Sequence, residues 1–124
     1  MVARKKILLV DDSPTVLLME QMLLGKGAYD LVTAKDGQEG VERALAEHPD
    51  LILMDAVMPT VDGFEACRRL RKEATTRTTP IIMVTTRGEM KFVEDGYKSG
   101  CSDYVTKPID AHELLTKVRN LLGV

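Results

Sequence analysis

Leu51-Ile52-Leu53-Met54-Asp55-Ala56-Val57-Met58-Pro59 is the stretch whose reading decides the fold. The apolar run 51–54 is too short for a buried helix and suits a strand covered on both faces, closed by a Met-Pro turn. Asp is a poor strand former and is costly to bury unpaired. A carboxylate at the tip of so apolar a run therefore points to a partner cation or to chemistry.

The same pattern recurs on either side of this run. Residues 7–10 form a second continuous apolar run that ends at Asp11-Asp12, and residues 81–84 form a third that ends at Thr85-Thr86. Residues 29–34 and 102–106 are more mixed and suit edge strands. Between them lie helical patterns. Ser13-Pro14 caps and starts the first helix, whose apolar positions include Val16, Met19 and Leu23, and Gly25 and Gly27 stop it. Val41, Ala44 and Leu45 stripe the second, which ends before Pro49. Asp62-Gly63 opens the third, with Phe64, Cys67, Leu70 and the stem of Arg71 on its inner face. The fourth covers about residues 89–98 and contains Gly96, at a cost of roughly 1 kcal/mol relative to Ala, which predicts the least stable helix. The last runs over about residues 110–122.

Strands alternating with helices through short connections predict an α/β fold, a doubly wound five-stranded parallel sheet covered on both faces. With the two mixed strands at the edges, the order is 2-1-3-4-5, a flavodoxin-like (βα)5 arrangement. The 124 residues fit a single domain spanning 1–124, with no repeat or linker.

Composition narrows the function classes. A chain with 44% hydrophobic and 29% charged residues and a formal net charge of -2 is an ordinary globular protein without a basic surface, which argues against bulk nucleic-acid binding. The apolar runs are too short to span a bilayer, and Arg4-Lys5-Lys6 leads into too short a run for a signal peptide. Cys67 and Cys101, without CxxC spacing, fit reduced thiols and a cytoplasmic location.

In an open α/β sheet, ligands bind beyond the carboxyl ends of the strands where the strand order reverses, here between strands one and three. Asp11, Asp12 and Asp55 stand just past those ends. Carboxylates brought together there repel one another, and a cation removes the conflict; an all-oxygen set favours one Mg²⁺ or another hard divalent ion. Thr85 at the end of strand four adds a hydroxyl, and Lys107 after strand five adds an ammonium. A phosphoryl group on Asp55 would meet the metal on one side and Lys107 and Thr85 on the other, the electrostatic clamp that phosphoryl transfer needs.

With Ile7-Leu8-Leu9-Val10-Asp11-Asp12-Ser13, Asp55-Ala56-Val57-Met58-Pro59, Asp62-Gly63, Val84-Thr85 and Tyr104-Val105-Thr106-Lys107-Pro108 in place, the chain resembles the receiver domain of two-component response regulators, of the stand-alone CheY-like kind. The resemblance implies that Asp55 accepts phosphate from a histidine kinase or phosphotransfer protein. It implies that Asp12 binds Mg²⁺ directly, Asp11 largely through water and Val57 through its backbone carbonyl. It further implies that Lys107 pairs with the phosphoryl group, that Thr85 hydrogen-bonds it, that Tyr104 is the switch aromatic, and that the Lys107-Pro108 peptide is cis. Such a protein is a signalling switch rather than an enzyme, beyond its own phosphotransfer and slow autodephosphorylation. It is a monomer or a phosphorylation-dependent dimer. Its downstream partner docks on the face of helix four, strand five and helix five, with Met90, Tyr97, Tyr104 and His112 as contacts.

The chain departs from the commonest pattern of that family at three positions. Thr86 stands where Ala or Gly is usual and predicts narrower access to Asp55. Val57 is apolar and positions no hydrolytic water, and Arg87 adds a cation. Together they predict slow hydrolysis of the phosphorylated form. Two other readings compete: a phosphorylation-independent interaction module of the same fold, and an aspartyl-phosphate phosphohydrolase. The latter is disfavoured because such enzymes resemble one another in a second Asp two residues after the nucleophile, where this chain has Val57. Two acids in the first loop disfavour flavin phosphate binding, and the loop lacks GxGxxG.

Overall fold

A computed structural model of the chain describes residues 4–25, 29–86 and 90–123, with side chains from residue 93 onward in the last segment. Strands and helices alternate along it: β1 (Lys5–Val10), α1 (Pro14–Leu24), β2 (Tyr29–Ala34), α2 (Gly37–Glu47), β3 (Leu51–Asp55), α3 (Gly63–Lys72), β4 (Ile81–Thr85), α4 (Met90–Ser99), β5 (Asp103–Thr106) and α5 (Ala111–Leu122). The strands form one sheet in the order β2-β1-β3-β4-β5, and every pairing is parallel. β3 and β4 are buried along their whole length, as their apolar sequences require.

Successive side chains on a strand point to opposite faces, so the sheet builds two cores. Leu8, Val10, Ile52 and Met54 pack with Val41 and Ala44 of α2 and with Ala66, Cys67 and Leu70 of α3. Ile7, Leu9, Leu53 and Val84 pack on the other side with Leu24 of α1 and Leu114 and Val118 of α5. A one-residue slip of any central strand would exchange the two sets, which fixes the register.

Helix starts follow one chemical rule. Asp36, Asp62 and Asp110 each accept a hydrogen bond from the backbone N–H three residues on, at 2.8, 2.9 and 2.9 Å, and each donor residue is a Glu in the first helical turn. Ser13 does the same for Val16 at 3.3 Å, followed by Pro14 at the first helical position. Each cap satisfies an otherwise orphaned amide, and the acidic first turns suit the positive end of the helix dipole. Asp110 is thus the cap of α5 rather than its first residue.

One expectation changes. α1 does not bury a simple Val16–Met19–Leu23 stripe: Glu20 and Leu24 are its buried residues, whereas Leu18 and Met22 are 58% and 66% exposed. Gly96 has a packing role within α4. A Cβ there would lie 3.2 Å from Cys101 Sγ and 3.7 Å from the Phe64 ring, so the missing side chain lets α4 settle against α3 and the start of β5. Both cysteines are free and buried. Gly27, Arg87 and the expected start of the fourth helix at about residue 89 lie outside the described residues, as does the side chain of Met90.

Candidate functional site

The C-terminal ends of β1, β3, β4 and β5 bring the expected groups to one edge of the sheet. Asp11 follows β1, Asp55 ends β3, Thr85 ends β4 and Lys107 follows β5. Asp11 and Asp55 are buried, at 1% and 5% exposure, and Asp12 beside them is exposed. One carboxylate oxygen from each of the three lies within 4.8 Å of the others, close enough together to share a metal ion.

Lys107 holds this cluster together. Its Nζ donates to Asp11 Oδ2 at 3.0 Å and to Asp55 Oδ1 at 3.5 Å, so in this state it pairs more closely with Asp11 than with the candidate acceptor. Its backbone N–H donates to the Thr85 carbonyl at 2.7 Å, and the Lys107-Pro108 peptide is cis. The other oxygen of Asp11 accepts from the Ser13 N–H at 2.9 Å, so one carboxylate joins the lysine to the start of α1.

Burial pushes the Asp55 carboxyl up from 3.8 to about 6; the Asp11 charge adds to the rise, and Lys107 and the Val57 N–H oppose it. Asp55 is therefore ionised at pH 7 but strained by its surroundings, ready to gain from a further cation. Burial pulls the Lys107 ammonium down, but its hydrogen bond to Asp11 and the Asp55 charge outweigh that and leave its pKa raised. The lysine is charged at any physiological pH.

α3 begins tight against the turn after Asp55. Gly63 donates to the Ala56 carbonyl at 2.9 Å, and a Cβ at Gly63 would sit 2.1 Å from the Asp55 carbonyl oxygen. Only glycine allows this approach. Val57, two residues after Asp55, and Thr86, next to Thr85, are both exposed. Tyr104, further back on β5, is half-buried and meets Tyr97 edge-on, with ring centroids 6.3 Å apart. Tyr97 is itself exposed on α4, and His112 is exposed on α5.

Sequence reasoning missed Glu20. It is 1% exposed, and its Oε1 has no hydrogen-bond partner among the described residues. Burial raises its carboxyl from 4.5 to about 8; the charges of Asp11 and Asp55 add to the rise and that of Lys107 opposes it. This places Glu20 within electrostatic reach of the site, as a protonated acid at pH 7. The only signal in the sequence was an acid four residues before Leu24, the innermost residue of α1.

An acidic pocket closed by a lysine at the carboxyl edge of a 2-1-3-4-5 parallel sheet defines a doubly wound α/β protein built around one strand-end aspartate. Residues 7–119 match the response regulator receiver domain family, and the chain belongs to it. It is 41% identical over 118 residues to Protein PilH of Pseudomonas aeruginosa, covering 95% of this chain and 98% of that one. It is 40% identical over 117 residues to the DNA-binding dual master transcriptional regulator RpaA of Synechocystis, covering 94% of this chain and 48% of RpaA. The chain thus spans about half the length of RpaA and of several other relatives it matches. Among solved structures, the receiver domain of the sensor histidine kinase PA1611 from Pseudomonas aeruginosa, with a magnesium ion coordinated in its active-site cleft, superposes with a TM-score of 0.91 at 31% identity, covering 98% of this chain and 100% of that one. A receiver domain serves phosphorylation-based signalling in two-component systems.

Proposed function

We propose that Asp55 is the phosphoacceptor. Its carboxylate attacks the phosphorus of a phosphohistidine on a kinase or phosphotransfer protein; the O–P bond forms as the P–N bond breaks, and the imidazole leaves. The observation that carries this reading is the convergence of Asp11, Asp12 and Asp55 within 4.8 Å, with Lys107 bonded into the cluster. Two buried acids, one exposed acid and no nitrogen or sulfur ligand suit one Mg²⁺. Asp11, Asp12, Asp55 and the Val57 carbonyl would hold it. An ion bound there would supply neutralisation of charge on the phosphoryl oxygens.

Lys107 then changes partners, leaving Asp11 for the phosphoryl group. The hydroxyl of Thr85, at the neighbouring strand end, hydrogen-bonds the same group. Tyr104 responds to that shift and reshapes the α4–β5–α5 face for a downstream protein, as monomer or as phosphorylation-dependent dimer. Thr86 sets access to Asp55, and the apolar Val57 leaves hydrolysis slow.

Intact mass after incubation with Mg²⁺ and acetyl phosphate tests the reading. One added phosphate is expected in the native protein and none in Asp55→Asn. No added mass, or equal addition in the variant, would refute it and favour a phosphorylation-independent interaction module.

A further inference from the structure

β5 is an edge strand, and its outer side exposes main-chain groups that β4 does not use. Tyr104 sits at that edge, and both of its outward backbone groups are taken by side chains. Its N–H donates to Asp103 Oδ1 at 2.8 Å, and its carbonyl accepts from Lys117 Nζ of α5 at 2.5 Å. The same ammonium lies 4.9 Å from the centroid of the Tyr104 ring and 3.4 Å from Asp103 Oδ1. Tyr97 of α4 closes on the ring at 88°.

One lysine therefore touches the backbone, the ring and the acidic neighbour of the residue expected to respond to Asp55. The Lys117 and Asp103 side chains are only 24% and 29% exposed, so solvent screens the pair less than an ordinary surface ion pair. A tyrosine ring leaving the gap between Tyr97 and Lys117 gives up the cation–π contact and loosens the ring of bonds around its backbone.

We propose that Lys117 is a positioning residue that holds Tyr104 in its resting place between α4 and α5, so that the affinity of Asp55 for a phosphoryl group is set partly from α5. This rests on the reading of Tyr104 as the aromatic that moves when Asp55 is occupied. A residue that favours only the resting state lowers the apparent affinity of whatever selects the other state, and its loss raises that affinity. A residue that merely caps the edge strand would change stability alone.

The test uses the full chain carrying 3-fluorotyrosine, with its three tyrosines resolved by ¹⁹F NMR and the Tyr104 signal assigned with Tyr104→Phe. Mg²⁺ and beryllofluoride, which mimics the acyl phosphate, are titrated into native protein, Lys117→Met, Lys117→Arg and Asp103→Asn. Lys117→Met keeps the stem and removes the charge. It is expected to show the Tyr104 signal already moved part of the way and to saturate at about fivefold lower beryllofluoride, the effect of losing one sheltered cation–π contact. Lys117→Arg should restore native behaviour, and Asp103→Asn should shift the midpoint in the same direction by less. If Tyr104 moves in the native protein but the Lys117→Met midpoint is unchanged, whether or not its urea stability falls, Lys117 is only an edge cap and the proposal is overturned. If the native Tyr104 signal is unmoved by beryllofluoride that does bind, the response of Tyr104 itself is refuted and the hold goes with it.

Discussion

Replacing Glu20 by Gln tests the electrostatics beneath the site without touching Asp55. Glu20 is 1% exposed, and its carboxyl is raised from 4.5 to about 8 by burial first and then by the Asp11 charge. Between those two values the unfolded chain has released a proton that the folded protein still holds. Folding stability therefore falls as pH rises through this window, by about 1.4 kcal/mol per pH unit, and levels off above pH 8. Gln keeps the shape and cannot ionise, so the variant lacks this slope. Urea unfolding of both proteins in EDTA at pH 5, 6, 7, 8 and 9 isolates the contribution as a difference. Asp55 titrates in both proteins and cancels. The variant is expected to gain on the native protein by about 3 kcal/mol between pH 5 and pH 7, and little more beyond pH 8. The absolute offset carries less information, because a buried amide also needs partners. A difference that does not change with pH would mean that Glu20 is ionised in the folded protein, and the account of its burial would be wrong.

Asp55→Asn should stabilise the metal-free protein by about 3 kcal/mol at pH 8 and by almost nothing at pH 4, because the native carboxyl is raised to about 6 and must ionise in place as pH rises; parallel urea curves check it. In the same variant Mg²⁺ should raise the melting temperature less than in the native protein, as read by calorimetry with and without the ion. Gly63→Ala should cost about 3 kcal/mol and slow acetyl phosphate labelling, since its Cβ would fall 2.1 Å from the Asp55 carbonyl. Thr86→Ala should speed labelling severalfold by mass spectrometry; an unchanged rate would remove Thr86 from control of access.

The parts of the fold that were legible were those where one force dominates. Runs 7–10, 51–54 and 81–84 are apolar throughout because β1, β3 and β4 are covered on both faces, and that alone orders the sheet. The strand-end rule then gathered Asp11, Asp55, Thr85 and Lys107 without any contact being known. α1 was harder to read. It carries Leu17, Leu18, Met19, Met22, Leu23 and Leu24, so periodicity could not choose its inner face, and an acid went inside while two of those side chains stayed out. The lean of Lys107 toward Asp11 was equally hidden, because sequence places groups at an edge but does not rank distances of 3.0 and 3.5 Å. Lys117 drew no notice in the sequence, since nothing local to α5 points to an unpaired edge on β5.

The alternation of strand side chains between two cores bears on how such a protein diverges. Ile7 and Leu9 answer to α1 and α5, and Leu8 and Val10 answer to α2 and α3. Substitutions on opposite sides of the sheet share no packing neighbour, so their effects should add, and compensation for a lost methyl must come from the same side. The packing beneath α1 and α5 can thus change with little effect on the packing beneath α2 and α3. Asp11, Asp55 and Lys107 lie at the strand ends common to both halves, where neither lineage of change can move them alone.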